Sequence, residues 1–338
     1  YLDQVCQAGV AAIVWEPSDQ LSDPPSPSVN IPCIAIEALS QQVGIIADRF
    51  YGHPSHELTV IGITGTDGKT SCSFYVAHAL QDAGIPAGVL GTIGYGLLGQ
   101  LQVATHTTPD AIRVHGLLRD IVDAGARAVV MEVSSHGLVQ GRVNGVRFDL
   151  AVLTNISRDH LDYHGDVDSY ARAKQLLFQM PGLRHAILNM DDVYGKQWIK
   201  HFQQNLHVVA YGMDACADMG CDTLCAREIK LTPDGIDWLA ESHADAMRSG
   251  QTHFEHPLYG RFNIYNLLAT LAALNVVLED WHSACGSIRH ARAVPGRMEF
   301  IRSAVDNQAL AVIDYAHTPE ALEQVLLALK QHGFNNIH

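Results

Sequence analysis

Basic charge is scarce: 22 lysines and arginines face 36 aspartates and glutamates, a formal net charge of −14 over 338 residues. Broad electrostatic capture of nucleic acid or of an anionic membrane is therefore disfavoured, neither partner is expected, and any phosphate has to be bound locally. Long apolar runs are lacking. The longest, residues 267–278, is interrupted by Thr270 and Asn275 and is too short to span a bilayer. Cysteine is sparse, seven in all at irregular separations, which points to reduced thiols in a cytoplasmic setting. Cys216, Cys221 and Cys225 cluster, but at intervals that match no common zinc finger or ribbon. No signal peptide is visible. The chain opens on Tyr1 rather than methionine, and further sequence is expected beyond both ends. Charged residues make up only 17% against 47% hydrophobic, which excludes extensive disorder.

Continuous apolar runs of β type recur at 11–15, 34–36, 58–63, 128–133, 150–156, 186–188 and 310–313. Strands without alternation are covered on both faces. Between them lie helical patterns such as 111–124, whose Val114, Leu117, Leu118, Ile121 and Val122 form one stripe. Strand followed by helix, repeated, predicts an α/β protein with a doubly wound, mostly parallel central sheet and a site at the carboxyl ends of its strands. Three segments are separable: 1–56, a partial N-terminal α/β unit whose 17–32 loop holds five prolines; 57–298, the central unit with nearly every polar motif; and 299–338, the start of a C-terminal α/β unit. The polar, weakly periodic region 213–257 reads as an insertion of mixed hairpin and loop.

The densest motif is Gly62-Ile-Thr-Gly-Thr-Asp-Gly-Lys-Thr70, a buried strand running through a glycine-rich turn into a helix over about 69–83. In such a turn Gly65 and Gly68 let backbone N–H groups close on phosphate, Lys69 supplies a point charge, and the Thr70 hydroxyl can reach magnesium. The strict spacing fails because Ile63 occupies the place of the first glycine. Glu132 ends a second buried strand and suits Mg²⁺ opposite this loop, or else caps a helix. A third strand leads into Ser157-Arg-Asp-His-Leu-Asp-Tyr-His164, where Asp159 can orient His160. His160 and His164 lack the glutamate of a zinc peptidase, which disfavours zinc hydrolysis. Lys174, on a helix over 170–178, reads by itself as a solvated lysine.

Seven motifs in order make the chain resemble the Mur ligases. They are the phosphate loop, Thr107-Thr108-Pro109, Met131-Glu-Val-Ser-Ser-His-Gly-Leu138, Ser157 to His164, Gly260-Arg-Phe-Asn-Ile-Tyr-Asn266, Gly296-Arg-Met-Glu299 and Asp314-Tyr-Ala-His-Thr-Pro319. The motif Met131-Glu-Val-Ser-Ser-His136 and the last resemble the branch that adds the third amino acid to UDP-N-acetylmuramoyl-L-alanyl-D-glutamate in peptidoglycan assembly, work tied to cell shape and division. That resemblance implies a cytoplasmic monomer using ATP and an acyl-phosphate intermediate. It further implies nucleotide contacts from Gly65, Thr66, Asp67, Gly68, Lys69, Thr70, Asn263, Asn266, Arg297 and Asp314. The muramoyl dipeptide falls to Thr107, Thr108, Ser134, Gln140 and Arg142, Mg²⁺ to Thr70, Glu132 and His160, and a CO₂-derived carbamate to Lys174 beside the metal. Lys69, Glu132, His160 and Lys174 are then the catalytic set.

Two departures matter. Asp67 stands where the family usually has asparagine, and the Asp-Asn-Pro-Arg selector of the third amino acid is absent. The stretch His136-Gly-Leu-Val-Gln-Gly-Arg142 resembles the branch that adds diaminopimelate more than the one that adds lysine. The alternatives are another amide-forming ligase such as a folylpolyglutamate synthetase, and a nucleotide-binding module without turnover. Outside the resemblance, Asn263 and Asn266 read as helix caps and Arg297 as a hinge ion pair.

Overall fold

The computed structural model describes residues 2–18, 30–213, 219–301, 310–316, 319–334 and 336–337. Most of the proline-rich loop and Cys216 lie outside them; Cys225 of the cysteine cluster is disulfide-bonded, which departs from the expectation of reduced thiols. The chain opens with α1 (Leu2–Gln7), β1 (Ile13–Trp15), β2 (Cys33–Ala35) and α2 (Leu39–Phe50). Strands β1 and β2 pair in parallel as a separate two-stranded sheet. Then follow β3 (Thr59–Thr64), α3 (Lys69–Asp82), β4 (Ala87–Leu90), β5 (Gly94–Leu97), β6 (Gln102–Val103), α4 (Ala111–Asp123), β7 (Ala128–Glu132) and α5 (Ser135–Val139). Next come β8 (Leu150–Leu153), α6 (Leu161–His164), α7 (Val167–Gln175), β9 (His185–Asn189), α8 (Val193–Phe202) and β10 (His207–Gly212). The meander β11 (Asp222–Thr232), β12 (Gly235–His243) and β13 (Gly250–His256) leads into α9 (Arg261–Leu278) and α10 (Trp281–Ile288). The chain closes with β14 (Glu299–Ile301), β15 (Ala311–Ile313) and α11 (Pro319–Gln331).

The central sheet has eleven strands in the order β13-β12-β11-β10-β9-β8-β3-β7-β4-β5-β6. From β4 to β11 neighbouring strands are parallel, and antiparallel pairs close both edges. Each parallel strand feeds two cores. Ile61, Val130 and Val152 pack with α3, α9 and α10, whereas Val60, Val129 and Leu153 pack with α4, α7 and α8 on the other face. This double coverage explains the unalternating apolar runs and bears out the doubly wound expectation. Helix α9 is long and apolar enough to cross a membrane, yet 67% of it is buried in this fold.

The 213–257 region differs from its reading as an insertion. Its described part extends the main sheet through β11–β13, with Trp238 and Phe254 fully buried and stacked at 5.1 Å. The polarity that hid these strands is their exposed face: along β12 buried and half-buried residues alternate. At the N-terminal side α2 docks on α4 and the 141–145 turn. Gly44 permits that approach, since a Cβ there would sit 2.1 Å from the Asn144 carbonyl oxygen. At the C-terminal side β14 and β15 pair antiparallel, and Phe300 stacks at 3.6 Å on Tyr259, just before α9.

Candidate active site

The phosphate loop follows β3 at the middle of the sheet and is shaped by two glycines in the left-handed region, Gly65 (φ 148°) and Gly68 (φ 82°). Neither tolerates a side chain: a Cβ on Gly65 would lie 1.8 Å from Thr154 Oγ1, and one on Gly68 2.4 Å from Asn266 Oδ1. The loop is braced from β8, where Thr154 Oγ1 donates to the Asp67 carbonyl (2.6 Å) and Asn155 Oδ1 accepts the Asp67 N–H (3.1 Å). The Asp67 carboxylate is exposed.

Two lysines meet on this loop. Lys69 Nζ donates to the Gly65 and Thr66 carbonyls (2.9 and 2.8 Å), and Lys174 Nζ, from α7, donates to the same Gly65 carbonyl (2.7 Å). Lys174 is 1% exposed and lies 4.3 Å from the Tyr170 ring centroid. Burial, and then the Lys69 charge, holds its pKa well below the ordinary lysine value. The solvated lysine read from the isolated helix is thus a buried amine, biased toward its neutral form.

Across the loop, Glu132 at the end of β7 is 1% exposed. Its carboxylate accepts from Thr70 Oγ1 (2.9 Å), the Thr92 N–H (2.8 Å) and Thr92 Oγ1 (3.1 Å). An anionic oxygen beside a hydroxyl, facing a phosphate loop, fits a hard cation that keeps waters and substrate phosphate as its other ligands. Among the described residues no three His, Cys, Asp or Glu side chains form a preassembled metal cluster. His160 precedes α6 in the left-handed region (φ 52°) and its ring lies 6.3 Å from Tyr170, itself against Lys174. Lys69 and Lys174 thus meet at the Gly65 carbonyl, Glu132 meets the loop at Thr70, and His160 is linked to Lys174 through the Tyr170 ring.

The five residues assigned to the dipeptide form one wall next to Glu132. Thr108 Oγ1 donates to the Glu132 carbonyl (2.9 Å) and accepts the Ser134 N–H (3.0 Å), while Thr107 and Thr92 hydroxyls lie 3.1 Å apart. Ser134 caps α5. Arg142 donates to the Thr108 carbonyl (2.8 Å) and twice to Gln140 Oε1 (2.9 and 2.6 Å).

On the other side of the loop, a cavity of about 340 Å³ opens among Asp67, Gly68, Asn155, Asp191, Tyr265 and Asn266. Asn266 lines it. Asn263 does not: it is buried, donates to the Tyr259 carbonyl (2.8 Å) and accepts from Asn266 Nδ2 (3.1 Å), so it orients Asn266 from behind. Arg297 reaches the phosphate loop, with Nη2 3.5 Å from Thr70 Oγ1 and its guanidinium over the Tyr315 ring. Asp314 accepts the Met298 and Ala316 N–H groups (2.8 Å each), fixing the Arg297 backbone's neighbour. Sequence reasoning missed Thr92, Asn155, Asp191 and Tyr265. For Asn155 and Asp191 the usable signal was their place just after β8 and β9, at the carboxyl edge where ligands of such sheets bind.

A glycine-rich loop between a buried carboxylate and two converging lysines, on a doubly wound sheet, defines an α/β protein of the phosphate-loop class. Residues 63–274 match the Mur ligase middle domain, and the chain belongs to the Mur ligases. It is 44% identical over 332 residues, 98% of its length, to the UDP-N-acetylmuramoyl-L-alanyl-D-glutamate--2,6-diaminopimelate ligase of Coxiella burnetii, and 43% identical over 327 residues to that of Pseudomonas aeruginosa. It spans 66% and 64% of those relatives. A solved structure of a ligase with the same name superposes with a TM-score of 0.77 at 34% identity, over 91% of this chain and 61% of that one. Folylpolyglutamate synthase of Mycobacterium tuberculosis shares the fold, with a TM-score of 0.66 at 18% identity, over 87% and 71%.

Proposed function

We propose that the chain carries the ATP-dependent ligation of meso-diaminopimelate to UDP-N-acetylmuramoyl-L-alanyl-D-glutamate. The observation that carries this reading is the convergence of Lys69 and Lys174 on the Gly65 carbonyl, opposite the Thr70–Glu132 pair. That similar relatives are diaminopimelate ligases favours diaminopimelate over lysine as the third amino acid.

The chemistry starts from a poor electrophile. An oxygen of the D-Glu γ-carboxylate attacks the γ-phosphorus of ATP, the P–O bond to ADP breaks, and an acyl phosphate results. The amine of the third amino acid then attacks the acyl carbon, phosphate leaves, and the nitrogen gives up a proton. Two anions must approach in the first step, so charge around the loop has to be screened. Magnesium held by Thr70 and Glu132, and a second ion near His160, would supply Lewis acidity to the phosphates. Lys69, released from its carbonyl contacts, reaches the β- and γ-phosphates, and Arg297 reaches them from the end of the central unit. Arg142 pairs with a substrate carboxylate.

Lys174 is suited to modification. A neutral amine attacks CO₂, the N–C bond forms, one proton leaves, and a carbamate anion stands where a buried cation would repel metal. Its burial and depressed pKa favour the neutral amine that this needs.

Ligation is tested by phosphate release. It should require the muramoyl dipeptide and diaminopimelate together, and release with folate substrates, or without either substrate, would sink the reading. Asp67 is tested separately, by nucleotide titration. Its backbone, not its carboxylate, is tied to Asn155 and Thr154. Asp67→Asn should therefore bind Mg·ATP unchanged to about tenfold more tightly, because it removes a negative charge beside the phosphates. A sharp loss in a nucleotide titration contradicts this.

A further inference from the structure

His332, directly after α11, is 1% exposed and belongs to none of the sets above. Its imidazole is held by two backbone groups of the central unit. The Gly260 N–H donates to Nε2 (2.8 Å), and Nδ1 lies 2.6 Å from the Thr232 carbonyl. A carbonyl can only accept and an amide N–H can only donate, so the ring is neutral with its proton on Nδ1. Burial lowers its pKa, in keeping with that state.

The partners are not arbitrary pieces of the fold. Thr232 ends β11, and Gly260 is the residue before α9, in the left-handed region at φ 86°. A Cβ on Gly260 would sit 2.5 Å from the Phe262 ring, so the backbone that aims this N–H depends on glycine. The first turns of α9 then supply Tyr265 and Asn266 to the 340 Å³ cavity, and Asn266 abuts Gly68 of the phosphate loop. On the C-terminal side of the junction Phe300 stacks on Tyr259, and Arg297 reaches Thr70. One imidazole thus ties the C-terminal unit to the start of the helix that walls the nucleotide cavity.

We propose that His332 is a positioning residue: through the Gly260 N–H it registers the first turns of α9, and with them Asn266, against the phosphate loop. The consequence for nucleotide rests on the function proposed above; the registration of α9 does not. Loss of the bond leaves the Gly260 N–H buried without an acceptor and should weaken nucleotide binding, while the dipeptide wall of Thr107, Thr108, Ser134, Gln140 and Arg142 is untouched.

Three substitutions in the 338-residue chain separate the two bonds. His332→Leu removes both, His332→Asn can keep a donor for Thr232, and His332→Gln can place an oxygen acceptor near Gly260. Titrated with Mg·ADP, the Leu and Asn variants should bind about tenfold or more weakly and the Gln variant near wild type, with muramoyl-dipeptide affinity constant throughout. Amide hydrogen exchange over residues 261–266 of the ligand-free chain should accelerate in the same Leu and Asn variants and be restored by Gln. A role in folding alone would instead make Mg·ADP affinity and exchange follow Tm in all three, and that pattern overturns the proposal. Unchanged exchange in His332→Leu overturns it whether or not the nucleotide binds, whereas a wild-type chain that ignores Mg·ADP while exchange responds as expected counts against the proposed function only.

Discussion

Replacing Lys174 with alanine should abolish ligation, a loss of about 10³-fold or more, because the group proposed to bear negative charge beside the metal disappears from a water-poor site. The side chain is fully buried and bonded to the Gly65 carbonyl, so a defect could also come from the space left behind. Lys174→Met controls for this by keeping volume without an amine. Both variants should be inactive, but only the alanine variant has room for a small anion. Bicarbonate or chloride should partly rescue it and leave the methionine variant dead. ¹³C NMR of wild type with labelled bicarbonate should show a carbamate resonance absent from both. Full activity in either variant, or the lack of that resonance in active wild type, removes the carbamate role.

The second large effect is expected at Glu132. Glu132→Gln keeps the shape and an acceptor for the Thr92 N–H, yet withdraws the negative charge that faces Thr70. Turnover should fall by roughly 10²–10³-fold, the scale of losing an electrostatic partner of a developing charge. The apparent Mg²⁺ requirement should rise with it, measured as phosphate release against Mg²⁺ at saturating ATP. If Glu132 served only to cap Thr92, the Mg²⁺ dependence would stay where it is and only thermal stability would drop.

Much of this arrangement was legible from residues 58–70. A continuous apolar run, two glycines and a Lys-Thr pair before a helical pattern specify a strand, a tight turn and a helix N-terminus, and the structure has them at β3 and α3. Strand ends announced Glu132 and the 155–164 loop for the same reason. Lys174 was different. Nothing in its helix reveals that α7 lies under the phosphate loop, since residues 65 and 174 are brought together only by sheet order. The hairpins of β11–β13 were expected, but their half-exposed pattern hid that they extend the main sheet, and Asn263 was read as a nucleotide contact or a cap although it turns into the core behind Asn266.

Local chemistry in the chain determined the elements whose signal is short-range: buried strands from unbroken apolar runs, the phosphate turn from glycines that accept a positive φ, and the family from motif order. Tertiary structure alone decided what those elements mean to one another. The depressed pKa of Lys174, the Thr70–Glu132 contact and the clasp of His332 on Gly260 each join residues far apart in sequence. Desolvation and hydrogen bonding act through space, and a linear pattern carries no record of which distant groups will share a buried site.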